Sequence, residues 1–191
     1  MHYWDDRYRT NDITWDMGQV SPPLQAYFDQ LTDRSLSILI PGCGNSYEAG
    51  YLLEKGFTNI TLVDISPILM RSLQEKFAGW PSPPLTLITG DFFDLQGAYD
   101  LIIEQTFFCA LDPSLREPYV QKMQQLLRPG GRLAGVLFDR DFSGGPPFGG
   151  HKEEYKKLLE KKFRIRTLAP CYNSIRPRQG TELFLLAEPL P

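Results

Sequence analysis

Apolar positions along the chain follow two rhythms that take turns: short continuous runs of aliphatic residues, and longer stretches that repeat every three or four residues. The first run, 37–40, stops at Pro41, which cannot donate to a sheet ladder, and the turn Gly42-Cys43-Gly44 follows. Asn45 or Ser46 then stands where a helix cap belongs, and 47–54 carries Ala49, Leu52 and Leu53 at helical spacing up to Gly56. Further strands are predicted over 59–63, 85–89, 99–103 and 132–138. One intervening helix opens at Ser66-Pro67, turns Ile68, Leu69, Leu73 and Phe77 inward, and is closed by Pro81, Pro83 and Pro84. Another covers 113–128 and ends at Pro129-Gly130-Gly131. Ser21-Pro22-Pro23 starts an earlier helix whose stripe of Leu24, Tyr27, Phe28 and Leu31 reads as core packing. A helix over 151–161 and a hairpin-like pair, 163–168 and 182–187, complete the chain. These patterns predict an α/β fold: a doubly wound, mostly parallel seven-stranded sheet with one antiparallel strand, in a single domain over 1–191.

In such a sheet the glycine turn after the first strand lies under a nucleotide-type ligand. On its spacing alone an ordinary tight turn explains the two glycines equally well. The next strand run ends at Asp64, 20 residues beyond Gly44, where a carboxylate can accept hydrogen bonds from both hydroxyls of a ribose. The third glycine of a dinucleotide fingerprint is replaced by Tyr47, whose bulk crowds a pyrophosphate. A nucleoside without a pyrophosphate fits better, with S-adenosylmethionine the leading candidate and a nicotinamide dehydrogenase disfavoured.

Other strand tips add candidates. Asp91 and Phe92 follow the third strand, where the acid either caps a turn or meets an adenine amino group. Glu104 and Gln105 end the fourth, at the topological switch point. The run Phe107 to Leu111 reads as core, and Cys109 as a small buried hydrophobe. The glycine- and proline-rich loop 139–150 is placed to cover a site. Its Gly-Pro-Pro-Phe follows the fifth strand and is preceded by glycine, unlike the tetrapeptide of amino-methylating nucleic-acid enzymes. Residues 1–20 hold Trp4, Tyr8 and Trp15 among many charges, which suits either a strap on the domain surface or a lid enclosing a cation.

Composition narrows the partners. With 42% hydrophobic and 13% aromatic residues the 191-residue chain can build a sizeable core. A net charge of -3 argues against a polynucleotide substrate. Three cysteines without paired spacing suggest a reduced, cytoplasmic setting with no zinc site, and no apolar run is long enough to span a membrane.

The segments WDDRYRTNDITWD, IPGCGNSYE, LVDIS, GDFF, YDLIIEQTFFCAL, LLRPGG and SGGPPF, in this order, resemble the thiopurine, thiol and halide branch of the class I S-adenosylmethionine-dependent methyltransferases. The resemblance covers essentially the whole chain and implies the Rossmann-like fold of that class. It also implies transfer of a methyl group from S-adenosyl-L-methionine, leaving S-adenosyl-L-homocysteine, to a small soft nucleophile: a thiol, hydrosulfide, halide or thiopurine-like sulfur. Trp4, Tyr8 and Trp15 would close over the cofactor as a lid, Gly42 and Gly44 approach its methionyl part, and Asp64 hold the ribose. Asp91 and Phe92 would bracket the adenine, with Glu104 beside the sulfonium. Gln105 departs from the tyrosine of the halide branch and the arginine of the thiopurine branch. Gln105, Tyr172 and Arg178 are the substrate-side candidates, with Arg176 a second positive side chain near them. No residue is assigned as acid or base, in keeping with a chain whose histidines are His2 and His151 alone. The expected partners are a small molecule and at most a weak dimer of an otherwise monomeric chain. A sensor that binds the cofactor without turnover is the rival that Gln105 keeps open.

Overall fold

The computed structural model describes residues 2–80 and 85–191. Seven strands form one sheet in the order β3-β2-β1-β4-β5-β7-β6. They are β1 (Ile38–Pro41), β2 (Ile60–Asp64), β3 (Leu85–Thr89), β4 (Tyr99–Gln105), β5 (Leu127–Phe138), β6 (Phe163–Pro170) and β7 (Glu182–Pro189). All neighbours pair in parallel except β7, which is antiparallel to both β5 and β6. The helices are α1 (His2–Arg9), α2 (Pro22–Phe28), α3 (Tyr47–Glu54), α4 (Pro67–Phe77), α5 (Arg116–Leu126) and α6 (Lys152–Leu159). None of the described helices is long and apolar enough to cross a membrane.

Every residue of β1 and β2 is buried, which is why these strands read as nearly continuous apolar runs, with Thr61 and the terminal Asp64 the polar members of β2. Successive side chains feed opposite faces. Ile38, Ile40, Leu101 and Ile103 join a core with α2, α3 and α4, whereas Leu39, Ile102 and Leu133 join one with α5 and α6. The residue pattern of α4 explains its docking: Leu69, Met70, Leu73 and Phe77 are buried and the Ser66 hydroxyl accepts from Leu69 N at 3.2 Å. Met70 takes the inward place expected for Ile68, which is half-buried.

One helix is added and two expectations are corrected. Residues 2–9 of the strap form a helix, α1, packed against α4. Ser46 heads α3 in a left-handed conformation without a side-chain cap, its hydroxyl instead donating to Cys43 O at 3.1 Å. The helix expected over 113–128 begins with a 3-10 turn and ends at Leu126, because Leu127 is drawn into the ladder opposite Tyr99. Pairing resumes only at Leu101 with Arg132, so Pro129-Gly130-Gly131 forms an irregularity inside β5, with Gly130 at φ 80. The three prolines assigned to close α4 lie outside the described residues.

Candidate functional site

Strand order reverses between β1 and β4, and a cavity of about 680 Å³ opens beyond the carboxyl ends of the strands there. Its floor is the glycine turn. Gly42 and Gly44 have φ of 55 and 50, a left-handed region open mainly to glycine. Their surroundings differ. A Cβ on Gly42 would lie 2.2 Å from Phe107 Cδ2, so packing of that ring by itself requires a glycine here. A Cβ on Gly44 would have only the Tyr8 hydroxyl nearby, at 3.8 Å, and Gly44 is the glycine that leaves its surroundings open.

Asp64 ends β2 beside this turn, 8% exposed, and accepts from Ser66 N at 3.0 Å. Burial pushes its carboxyl up to about 6, with the charge of Asp5 adding to the effect against the backbone N–H groups of Ser66, Gly44 and Ile65. Asp5, on α1, accepts from the Ser66 hydroxyl at 2.6 Å and so brings a carboxylate to the positive end of α4. Nothing in the polar run around Asp5 announces this contact, which spans 61 residues.

The aromatic residues of the strap meet over the cavity. Trp15 packs edge-on against Trp4 at 5.5 Å and Tyr8 at 5.9 Å, and all three line the wall. Two contacts hold the strap down. Arg178 donates to Trp15 O at 2.6 Å and to Glu182 at 3.3 Å, with its guanidinium 5.1 Å from the centroid of the Phe138 ring. Asp16 accepts from the Asn45 side chain, from Gly18 N at 2.5 Å and from the Tyr47 hydroxyl at 3.4 Å. Asp16 and Glu48 both line the cavity and were not singled out from the sequence. Glu48 accepts from Ser21 N at 3.0 Å, and burial pushes its carboxyl up.

Asp91 caps a 3-10 turn, its carboxylate accepting from Phe93 N at 2.8 Å, and it also lines the cavity. Phe92 touches the cavity from within an aromatic group of Phe93, Phe107 and Tyr119. Gln105 and Arg178 also line the wall, and the Gln105 Oε1 is buried without a hydrogen-bond partner. Phe107, expected in the core, contributes to the wall as well. Cys109 stays a thiol, pushed up to about 12 by burial and donating to Thr106 O at 3.3 Å. The 139–150 loop sends Phe142, Pro146 and Pro147 to the cavity, and its Phe148 N donates to Cys109 O at 2.6 Å.

Two candidates are not where the sequence reading put them. Tyr172 is 89% exposed and away from the cavity, because Cys171 N bonds Glu182 O and the Asn173 side chain bonds Pro22 O, leaving the residue between them facing solvent. Glu104 is wholly buried behind the wall, where its carboxylate accepts from Phe107 N at 2.8 Å, Phe108 N at 2.9 Å and the Tyr119 hydroxyl at 2.6 Å. Burial pushes it up to about 7 against these three hydrogen bonds. Arg176 also lies outside the cavity wall.

Four carboxylates, Asp16, Glu48, Asp64 and Asp91, thus line a cavity whose other members include Arg140 and Arg178. That donor and acceptor set suits a ligand with hydroxyls and positive charge, and leaves arginines for an anion.

Comparison with known sequences gives a family match: the model described as Thiopurine S-methyltransferase (TPMT) matches residues 1–184. A protein of Arabidopsis thaliana named "Probable thiol methyltransferase 2" is 30% identical over 184 residues, covering 94% of this chain and 81% of its own. A Vibrio cholerae thiopurine S-methyltransferase is 30% identical, covering 95% and 93%. Among solved structures, magnesium protoporphyrin IX methyltransferase from Synechocystis with bound SAM superposes with a TM-score of 0.75 at 16% identity, covering 98% of this chain and 93% of that one.

Proposed function

Because this chain belongs to the thiopurine S-methyltransferase family and is an S-adenosylmethionine-dependent methyltransferase, we propose that it methylates a small soft nucleophile, a thiol, hydrosulfide, halide or thiopurine-like sulfur. The observation that carries the cofactor half of this reading is Asp64, a buried carboxylate at a strand tip beside the open Gly44 and under the strap. S-adenosylmethionine, bound there, would supply an electrophilic methyl group on a sulfonium to a nucleophile arriving in line.

The residues divide the work. Asp64 accepts the ribose hydroxyls, and Asp16 and Glu48 offset positive charge near the glycine turn. Asp91 and Phe92 border the adenine. Trp4, Tyr8 and Trp15 present aromatic faces that favour a cation by ~0.5–2 kcal/mol and exclude water. Arg178 raises the anionic fraction of a thiol at the acceptor end, and Gln105 shapes that end. A soft anion brings its own electron pair, so alignment and water exclusion suffice without a general base. Gly42 lines the cavity and leaves room for the Phe107 ring.

A transfer assay with labelled S-adenosylmethionine against iodide, hydrosulfide, thiocyanate, an aromatic thiol and a thiopurine tests the reading. Turnover on one or more is expected; cofactor binding with no turnover on any would remove the acceptor class and favour the sensor. The role of Arg178 gives a second expectation. Losing its charge in Arg178→Gln raises KM for an anionic acceptor by about tenfold, the worth of one charge-assisted hydrogen bond, whereas Arg178→Lys stays within about threefold. Equal losses in both would confine Arg178 to holding Trp15 and Glu182 in place.

Asp64 also predicts a pH dependence. Its carboxyl titrates near about 6, raised by burial. Only the ionised form accepts both hydroxyls, so binding is complete above that value and weakens as pH falls through it. S-adenosylhomocysteine affinity measured by calorimetry should fall toward about tenfold per pH unit on the acid side, and Asp64→Asn should flatten the curve. An unchanged slope in the variant would move the titration elsewhere.

A further inference from the structure

Glu104 is a wholly buried carboxylate whose hydrogen-bond partners among the described residues are two backbone N–H groups and a hydroxyl, so these contacts must offset the cost of burying it. What it holds is the turn after β4. One oxygen takes the N–H groups of Phe107 and Phe108, the other the hydroxyl of Tyr119, itself 2% exposed on α5. Its ladder neighbour on β5 is Gly135, where a Cβ would come within 2.4 Å of the Glu104 Cβ, so a glycine leaves room for the side chain. Inside the turn, Thr106 sits at φ 57, strained for a β-branched residue and in need of outside support.

The turn reaches both halves of the cavity. Gln105, Thr106 and Phe107 line it directly, the Phe107 ring occupies the space over Gly42, and Cys109 O receives Phe148 N from the proline-rich loop. We propose that Glu104 is a positioning residue for methyl transfer: its carboxylate fixes the 105–109 turn, and through it the alignment of the acceptor wall with the glycine turn. Glu104 does this by reach and by hydrogen-bond acceptance, not by presenting charge to the cofactor. The proposal rests on the functional reading above.

Two substitutions separate reach from charge. Glu104→Gln keeps the length, with one oxygen for both N–H groups and an amide that can donate to the Tyr119 oxygen. Glu104→Asp keeps the charge and loses a methylene of reach. Hydrogen exchange of the unliganded protein is expected to show the 105–109 amides about tenfold less protected in Glu104→Asp and near wild type in Glu104→Gln, with β1 and β2 unchanged. In the assay kcat should fall about tenfold in Glu104→Asp, with S-adenosylhomocysteine affinity within about threefold, and recover in Glu104→Gln. The reverse order, Asp active and Gln inactive, would mean that charge is what matters and would overturn the proposal. So would exchange that is unaltered in Glu104→Asp. Wild-type protein that neither binds S-adenosylhomocysteine nor turns over would instead sink the functional reading, leaving the exchange result to judge the turn.

Discussion

Replacing Asp64 by Asn is expected to weaken S-adenosylhomocysteine binding by ~10- to 100-fold, since hydrogen bonds to a charged group contribute ~1.5–3 kcal/mol. The carboxylate is nearly inaccessible, and its carboxyl is raised to about 6 by that burial, so at neutral pH it is ionised in surroundings that oppose the charge. Removing the charge therefore should not unfold the protein, and Tm should stay within a few degrees. The side chain already accepts from Ser66 N, which an Asn oxygen can retain, but an amide cannot accept two ribose hydroxyls. Calorimetric titration of the folded variant decides the matter. Wild-type affinity in Asp64→Asn would remove the residue on which the cofactor half of the reading stands.

Gly42→Ala should be the most damaging small substitution in the cavity floor. A left-handed φ costs an L-residue ~1–2 kcal/mol, and forcing a methyl group into a filled space adds ~1–3 kcal/mol. Both apply here, at φ 55 with the Phe107 ring 2.2 Å from the new carbon. The protein should lose ~2–5 kcal/mol of stability, or Phe107 should swing into the cavity and suppress turnover at least tenfold. Phe107→Ala supplies the control. With the ring gone, the 2.2 and 2.5 Å clashes with Cδ2 and Cγ are removed, leaving the backbone cost and a 2.9 Å approach to the Cβ at position 107. A double-mutant cycle by denaturant unfolding should therefore give a favourable coupling of ~1–3 kcal/mol. Additive effects would show that Phe107 is not what requires glycine at this position.

Much of this arrangement is legible in the sequence because it depends on neighbours in the chain. Strands buried on both faces are nearly continuous in apolar residues, so β1 and β2 announce themselves. Pro41 and the glycine turn end one of them, Ser66-Pro67 opens α4, and Asp64 stands at the tip of β2 because the strand run before it stops there. The family resemblance rests on these same local segments, and the match over residues 1–184 agrees with it.

Contacts between distant segments were a different matter. Alternation along β4 says that Glu104 and Gln105 diverge, but not that Ile102 and Glu104 face α5 while Gln105 reaches the cavity. That outcome depends on which helix covers which face. Asp5 and Asp16 are ordinary acids in a polar segment until α1 and the strap fold over α4 and α3. Tyr172 and Arg178 look equally suited to a substrate, yet hydrogen bonds on either side of Tyr172 leave it facing solvent while Arg178 is drawn between Trp15 and Glu182. The sequence by itself determined the order of the seven strands and of the helices after the strap, the glycine turn and the acid at the β2 tip, since each follows from local backbone and burial chemistry. Only the tertiary structure decided which side chains share the cavity and why Gly42 must be glycine, because those depend on the surface that remote segments present to one another.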